Sequence, residues 1–364
     1  MPRSICFALL ILGLLNAAAA VATAADGKPD QLPVAATIAT SLTTAGDQIR
    51  QFAFDGDAGT CFVSARGPSA GDHFTLNFDQ PVAIDSITVT TGRAEGGDEL
   101  GGDQFGGGAL EVSSDGKAFE RLAVFTKGVA QVRPDGRLVQ AVRVSATADL
   151  FNPLVIRELS IKSQPPVAVF EYPVEFVVDA SDAPEMKEWA EKVAHTCERA
   201  YRMINEELKS KGYKPPHMVT MALKNDYQGV AATGGDHIVG SVKFFKQHPD
   251  DVGAMVHETV HVVQNYRGRR NPGWLVEGVA DYVRFFKFEP GNLGPIDAER
   301  AHYDGSYRVS AAFLAYLVEK YDQDIVRKLN KLLRAGEYRD KTFEELTGKT
   351  LGVLDDEWRA TLGL

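Results

Sequence analysis

The sequence predicts two domains, an all-β sandwich followed by an α+β domain. Three observations carry that expectation. Short apolar–polar alternations fill residues 33–162, the run Ser163-Gln164-Pro165-Pro166 interrupts them, and beyond Pro184 apolar residues mostly recur at helical spacing. The length agrees, because 364 residues exceed what one hydrophobic core usually supports. With 44% hydrophobic and 24% charged residues, the composition is that of a globular chain. The formal charge of -10 leaves no basic footprint, which argues against a nucleic-acid partner.

Taken in order, the first 24 residues have the pattern of an export signal. Arg3 precedes an apolar run at 5–15, and a small-residue stretch ends in Ala22-Thr23-Ala24. The run is too short for a comfortable membrane span, so the expectation is a secreted or periplasmic protein with no span after cleavage. Cys61 and Cys197 then remain, in different domains, where a bridge is not favoured. Within 33–162, segments 74–78, 84–90, 110–112 and 142–144 alternate as strands do, and Ser114-Asp115-Gly116 and Pro134-Asp135-Gly136 mark turns. The glycine-rich stretch 92–108 reads as a long loop, or as a ligand or calcium loop.

Residues 163–167 read as a linker. After it come a strand at 169–178 and an amphipathic helix at 184–208, with Trp189, Val193, Cys197 and Tyr201 every four residues. Strands follow at 219–223 and 238–245. From Pro249 the pattern is helical, broken near 271–273 and 290–291. The segment 237–242 reads as an edge strand able to pair with a substrate. His217 and His237 read as surface histidines.

The chemistry concentrates at His257-Glu258-Thr259-Val260-His261. Positions four apart share a helix face, so the two imidazoles can hold one metal ion, and Glu258 beside the first can serve as general base. A catalytic zinc keeps three protein ligands, so a third should follow. Glu277 and Asp281, again four apart after Asn271-Pro272-Gly273, offer a division of labour. One would bind the ion and the other would accept the free N–H of a liganding histidine. Tyr307 is the candidate donor to a developing oxyanion, with Tyr303 and His302 behind it.

The segments HETVHVVQNYRG and NPGWLVEGVADYVRF resemble the plant basic secretory proteins and their bacterial relatives, a group of zinc-dependent peptidases. The resemblance runs over most of 168–364, through 307–314, Tyr321, Leu329-Asn330 and 343–349. W-L-x-E-G-x-A-D is also similar to the third-ligand helix of gluzincin peptidases. That likeness implies a zincin-like metallopeptidase domain in which His257, His261 and Glu277 bind zinc, with Asp281 supporting a histidine or replacing Glu277. The acidic charge departs from the plant members. In the first domain, Phe54-Asp55-Gly56-Asp57 through Thr60-Cys61-Phe62 resembles the discoidin, or coagulation-factor type C, module, with Phe62 where that family usually has tryptophan. The resemblance implies a discoidin-like β-sandwich that binds carbohydrate and holds a calcium through Asp55, Asp57, Thr60 and Glu158. Phe105 and Phe151 are candidate stacking aromatics. The expected whole is an exported zinc peptidase acting on peptides or glycoproteins. Its alternatives are a non-catalytic carbohydrate-binding adhesion protein on the same scaffold, and a zinc hydrolase of other bonds.

Overall fold

The computed structural model describes residues 32–93, 103–266, 271–305, 307–339 and 341–363. The export-signal segment 1–24 and residues 94–102 of the glycine-rich stretch lie outside the described residues. Residues 33–364 form one compact unit built on two hydrophobic cores.

The first core lies inside an antiparallel sandwich. Strand β3 (His73–Thr91) is its spine, because one 19-residue strand absorbs two of the alternating segments seen in the sequence. Its first half pairs with β1 (Ala36–Thr40) and β7 (Arg137–Ala146). A register shift between Asn77 and Val82 then redirects it, and its second half pairs with β8 (Val155–Gln164) and β6 (Val129–Val132). The remaining strands are β2 (Phe62–Val63), β4 (Gly108–Ser113) and β5 (Glu120–Val124). Phe54, Phe62, Phe74, Leu76, Ile84 and Ile156 fill the interior. The expected turn at Asp135-Gly136 forms between β6 and β7, with φ of 52° and 75° at its two residues, a conformation that suits this pair.

The boundary is not a free linker. Strand β8 runs through Gln164, and Val34 bridges to Val167 while accepting the Ala168 N–H. Arg50 of the sandwich lies between Glu175 and Glu198 of the second domain, and Gln51 accepts the Val174 N–H at 2.7 Å. A half-formed version of this buried ion cluster would leave an uncompensated charge, so the two domains are held in one arrangement.

The second core is covered by a four-stranded sheet in the order β11-β12-β10-β9 and by eight helices among the described residues. Strand β9 (Glu175–Asp179), α1 (Lys187–Glu207) and β10 (Met218–Lys224) make a parallel crossover unit. β12 (His237–Ser241) is also parallel to β10, and β11 (Ala231–Gly234) closes the sheet antiparallel to β12. The sheet is therefore mixed, with a helix between its first two strands. The expected strand at 169–178 starts late, because residues up to 172 follow the sandwich, where the Phe170 N–H donates to Phe54 O. The expected strand at 238–245 stops at Ser241, whose hydroxyl accepts the Phe244 N–H and starts α2 (Val242–Gln247).

Helix α3 (Val252–Gln264) crosses the centre of this core. Met255, Val256, Val260, Val262 and Val263 are fully buried, each stabilising by about 1.5–3 kcal/mol, so the helix is clamped from several sides. α4 (Gly273–Val283) continues into a π-helical turn, Arg284–Phe288. A Cβ on Gly278 would meet Ser310 Cβ at 2.8 Å, so glycine is what lets α5 (Tyr307–Lys320) lie against α4. α6 (Ile325–Ala335), α7 (Thr342–Thr347) and α8 (Leu351–Thr361) complete the layer. Among the described residues, Cys61 and Cys197 are free thiols. Among the described residues, no helix is long and apolar enough to cross a membrane.

Candidate active site

Asp251 caps α3 by accepting the Ala254 N–H, and Asn265 ends it in the left-handed region at φ 44°. Between these ends the helix is regular, so His257 and His261 fall on one face with ring centroids 4.7 Å apart. α4 then brings in its own carboxylates. Glu277 Oε2 lies 3.1 Å from His257 Nε2 and 3.1 Å from His261 Nε2, and the two Nε2 atoms are 3.1 Å apart. Behind this triangle, Asp281 Oδ1 sits 2.7 Å from His257 Nδ1, and Gln264 Oε1 sits 2.7 Å from His261 Nδ1. The Gln264 amide is oriented by its own N–H, which donates to Val276 O at 3.0 Å.

The donor set fits a small cation. Asp281 and Gln264 take the Nδ1 protons, which directs both Nε2 atoms at the Glu277 oxygen. A proton on one ring satisfies a single edge of the triangle, whereas an ion at its centre satisfies all three atoms. Tetrahedral zinc with bonds near 2.0 Å places its ligands about 3.3 Å apart. His257, His261 and Glu277 are the group of metal-ligand type found among the described residues. Burial works against charge on His257, yet Asp281 and then Glu277 prevail and lift its pKa to about 9. Burial likewise opposes charge on Glu277, and the two histidines overcome it to hold the carboxyl at about 2. His257 thus holds a proton against the Glu277 carboxylate, and a bound cation would displace it.

The triangle lies in a cleft of about 990 Å³ lined also by Glu258, Phe244, Phe285, Tyr307 and β11. Glu258 is almost fully buried, and its Oε2 accepts the Thr233 hydroxyl at 2.7 Å. Tyr307 is 56% exposed, and its ring stands edge-on to His257 with centroids 6.3 Å apart. Glu277, before burial and Asp281, raises the Tyr307 pKa, so the phenol stays protonated as a donor. The other oxyanion candidates are not brought in. Tyr303 packs on Trp274 and Phe313, and His302 is pinned between Asp304 and Asp355.

The substrate-edge expectation is corrected. β12 is an inner strand between β11 and β10, and β11 presents the open edge to the cleft. The sequence of β11, Ala-Ala-Thr-Gly before a second glycine, carries no strand pattern, so Thr233 was not legible as the support of Glu258. Gln264 was also missed, although its place three residues after His261 on one helix is the signal that finds it.

In the sandwich, Phe105 is a core residue, 3% exposed and packed edge-on against Phe125, and its N–H donates to the Thr91 hydroxyl at 3.0 Å. It is therefore not a stacking surface. Phe151 is 98% exposed. The loop Asp55–Thr60 folds as an internal turn: Asp55 accepts from the Asp57 N–H and the Thr60 hydroxyl, and Asp57 accepts from the Gly59 N–H. Glu158 faces both aspartates, with its Oε2 buried and unpartnered, yet these carboxylates do not converge at the spacing of the histidine site.

A family model described as "Peptidase of plants and bacteria" matches residues 174–359. A comparison with curated proteins found no match. Among solved structures, the chain is similar to a family 32 carbohydrate-binding module from a family 31 glycoside hydrolase of Clostridium perfringens. The identity is 14%, the TM-score 0.29, and the match covers 35% of this chain and 92% of that one. A second such module, from C. perfringens in complex with galactose, gives 15% identity and a TM-score of 0.28 over 35% and 92% of the chains. A fucose-binding module of Streptococcus pneumoniae gives 10% and 0.29 over 35% and 92%.

Proposed function

The chain belongs to the peptidases of plants and bacteria, and from that premise we propose that it is a zinc-dependent metallopeptidase with Glu258 as its base. One observation carries the reading: His257 Nε2, His261 Nε2 and Glu277 Oε2 meet 3.1 Å apart in an open cleft, with Glu258 beside them. A bound zinc supplies Lewis acidity toward the scissile carbonyl and its attacking water. The remaining work falls to the chain. Glu258, oriented by Thr233, accepts the water's proton and returns it to the leaving amine. Tyr307 donates its O–H to the oxygen on which charge develops. Asp281 and Gln264 hold the imidazoles in the liganding tautomer. The open edge of β11 aligns an extended peptide by main-chain hydrogen bonds.

The sandwich, on this reading, brings the enzyme to glycoproteins through Phe151 and the loops around it, where Arg66 pairs with Asp72 and Asp149 accepts the Ala70 N–H. Export through residues 1–24 places the enzyme outside the cytoplasm. The test is cleavage of one glycoprotein and its deglycosylated form by zinc-loaded, chelated and zinc-restored protein. Hydrolysis should vanish on chelation and return with zinc. The glycosylated substrate should be preferred, and that preference should fall in Phe151→Ala. Stoichiometric zinc without hydrolysis favours the non-catalytic binding protein instead.

Calcium at Asp55, Asp57, Thr60 and Glu158 has its own signature. Burial first, then Asp55, pushes the Glu158 carboxyl up to about 8. An acid raised in the folded state favours folding while protonated, so without a cation stability falls as pH rises from about 4.5 to about 8. Calcium on the ionised carboxylates should remove that fall. Thermal midpoints at about pH 5 and pH 9, with and without calcium, decide it: a midpoint at the higher pH indifferent to calcium rules the site out.

A further inference from the structure

We propose that Arg308 is the cleft's receptor for a carboxylate of the substrate, a specificity that rests on the peptidase reading of the same site. Arg308 is the second residue of α5, is exposed, and lines the cleft next to Tyr307. Its guanidinium lies over the ring of Phe285, 4.9 Å from the centroid. Phe285 is only 2% exposed and so provides a fixed platform. Nη1 makes one long contact, 3.4 Å to Leu293 O, and among the described residues no carboxylate pairs with the group.

The neighbouring cation shows the contrast. Arg284 also borders Phe285, but it donates to Asp251 and to Glu289, so its charge is consumed within the protein. The other acids of the cleft are engaged as well: Asp281 with His257, Glu277 with both histidines, and Glu258 with Thr233. Arg308 is left as a preorganised fork, facing solvent in the cleft, whose geometry suits two parallel bonds to a carboxylate. Tyr307, the residue before it, has its ring 6.3 Å from that of His257. An extended peptide advances ~3.3 Å per residue, so a carboxylate within a few residues of the scissile bond can reach this wall. Two sources share the chemistry: an acidic side chain beside the cleavage point, and the free C-terminus of a short peptide.

Four peptides of one sequence separate them, with Asp or Asn beside the cleaved bond and with a free or amidated C-terminus. For the zinc-loaded wild type, kcat/KM should favour one carboxylate-bearing peptide over its uncharged counterpart by roughly tenfold to a hundredfold. The pair showing the preference identifies the source. The ratio should fall toward one in Arg308→Gln and recover in part in Arg308→Lys, which keeps the charge and loses the fork. A wild-type ratio near one, or a ratio undiminished in Arg308→Gln, overturns the assignment while hydrolysis itself stands. A zinc-loaded wild type that cleaves none of the four overturns the peptidase reading and the assignment together.

Discussion

Glu258→Gln is expected to lower hydrolysis by roughly 100- to 10,000-fold while leaving metal content unchanged. The side chain keeps its shape, and the Thr233 hydroxyl can donate to an amide oxygen as it does to Oε2. What is lost is the capacity to accept a proton. The three atoms that meet at the metal position come from His257, His261 and Glu277, and none of the hydrogen bonds that orient them involves Glu258. Binding and turnover are therefore separable here, which makes the variant informative. Metal analysis and steady-state kinetics on the same preparation provide the check. A variant within twofold of wild-type turnover would remove Glu258 from the base role, and a variant that loses its metal would show that the carboxylate also supports the ligands.

How much of this site was legible in the sequence depends on the range of the interactions. His257, Glu258 and His261 announce themselves because a helix fixes positions four apart without help from the rest of the chain. Glu277 and Asp281 were visible as a pair for the same reason, but their division of labour depends on how α4 crosses α3. That crossing is a tertiary contact between the two helices, which no local pattern records. Thr233 was lost because four weakly patterned residues become a strand only when β12 is beside them. The misread edge has the same cause: alternation finds strands, whereas strand order depends on contacts far apart in sequence. Ser241 shows the limit at short range, since Val242, Phe244 and Phe245 favour a strand by composition and a single cap turns them into α2. Around 163–167, proline and serine read as a linker, while the ordered strand end and the Arg50 cluster that fasten the sandwich to the second core were invisible.

Glu277→Ala should abolish tight zinc binding, and Asp281→Ala should weaken it by only about 10- to 100-fold. The asymmetry follows from position. Glu277 Oε2 is the atom equidistant from both Nε2 atoms, so removing it takes away one of three ligands and leaves two imidazoles four residues apart on one helix. Asp281 touches the far nitrogen of a single ring, and without it His257 keeps its place through the buried helix while losing its tautomer control. The two variants also differ in what they ask of the fold. The Glu277 side chain is 30% exposed, so its removal leaves little unfilled space, whereas that of Asp281 is 7% exposed and its loss opens a pocket in the core. A fall in affinity caused by general loosening would therefore be larger in Asp281→Ala, the opposite of the order expected from ligation. Competition against a chelator of known affinity, read alongside thermal midpoints of the two metal-free proteins, distinguishes these cases. Tighter residual binding in Glu277→Ala than in Asp281→Ala, with the thermal midpoint of metal-free Asp281→Ala unchanged, would transfer the ligand role to Asp281 and require α4 to rotate toward His257 when the ion binds.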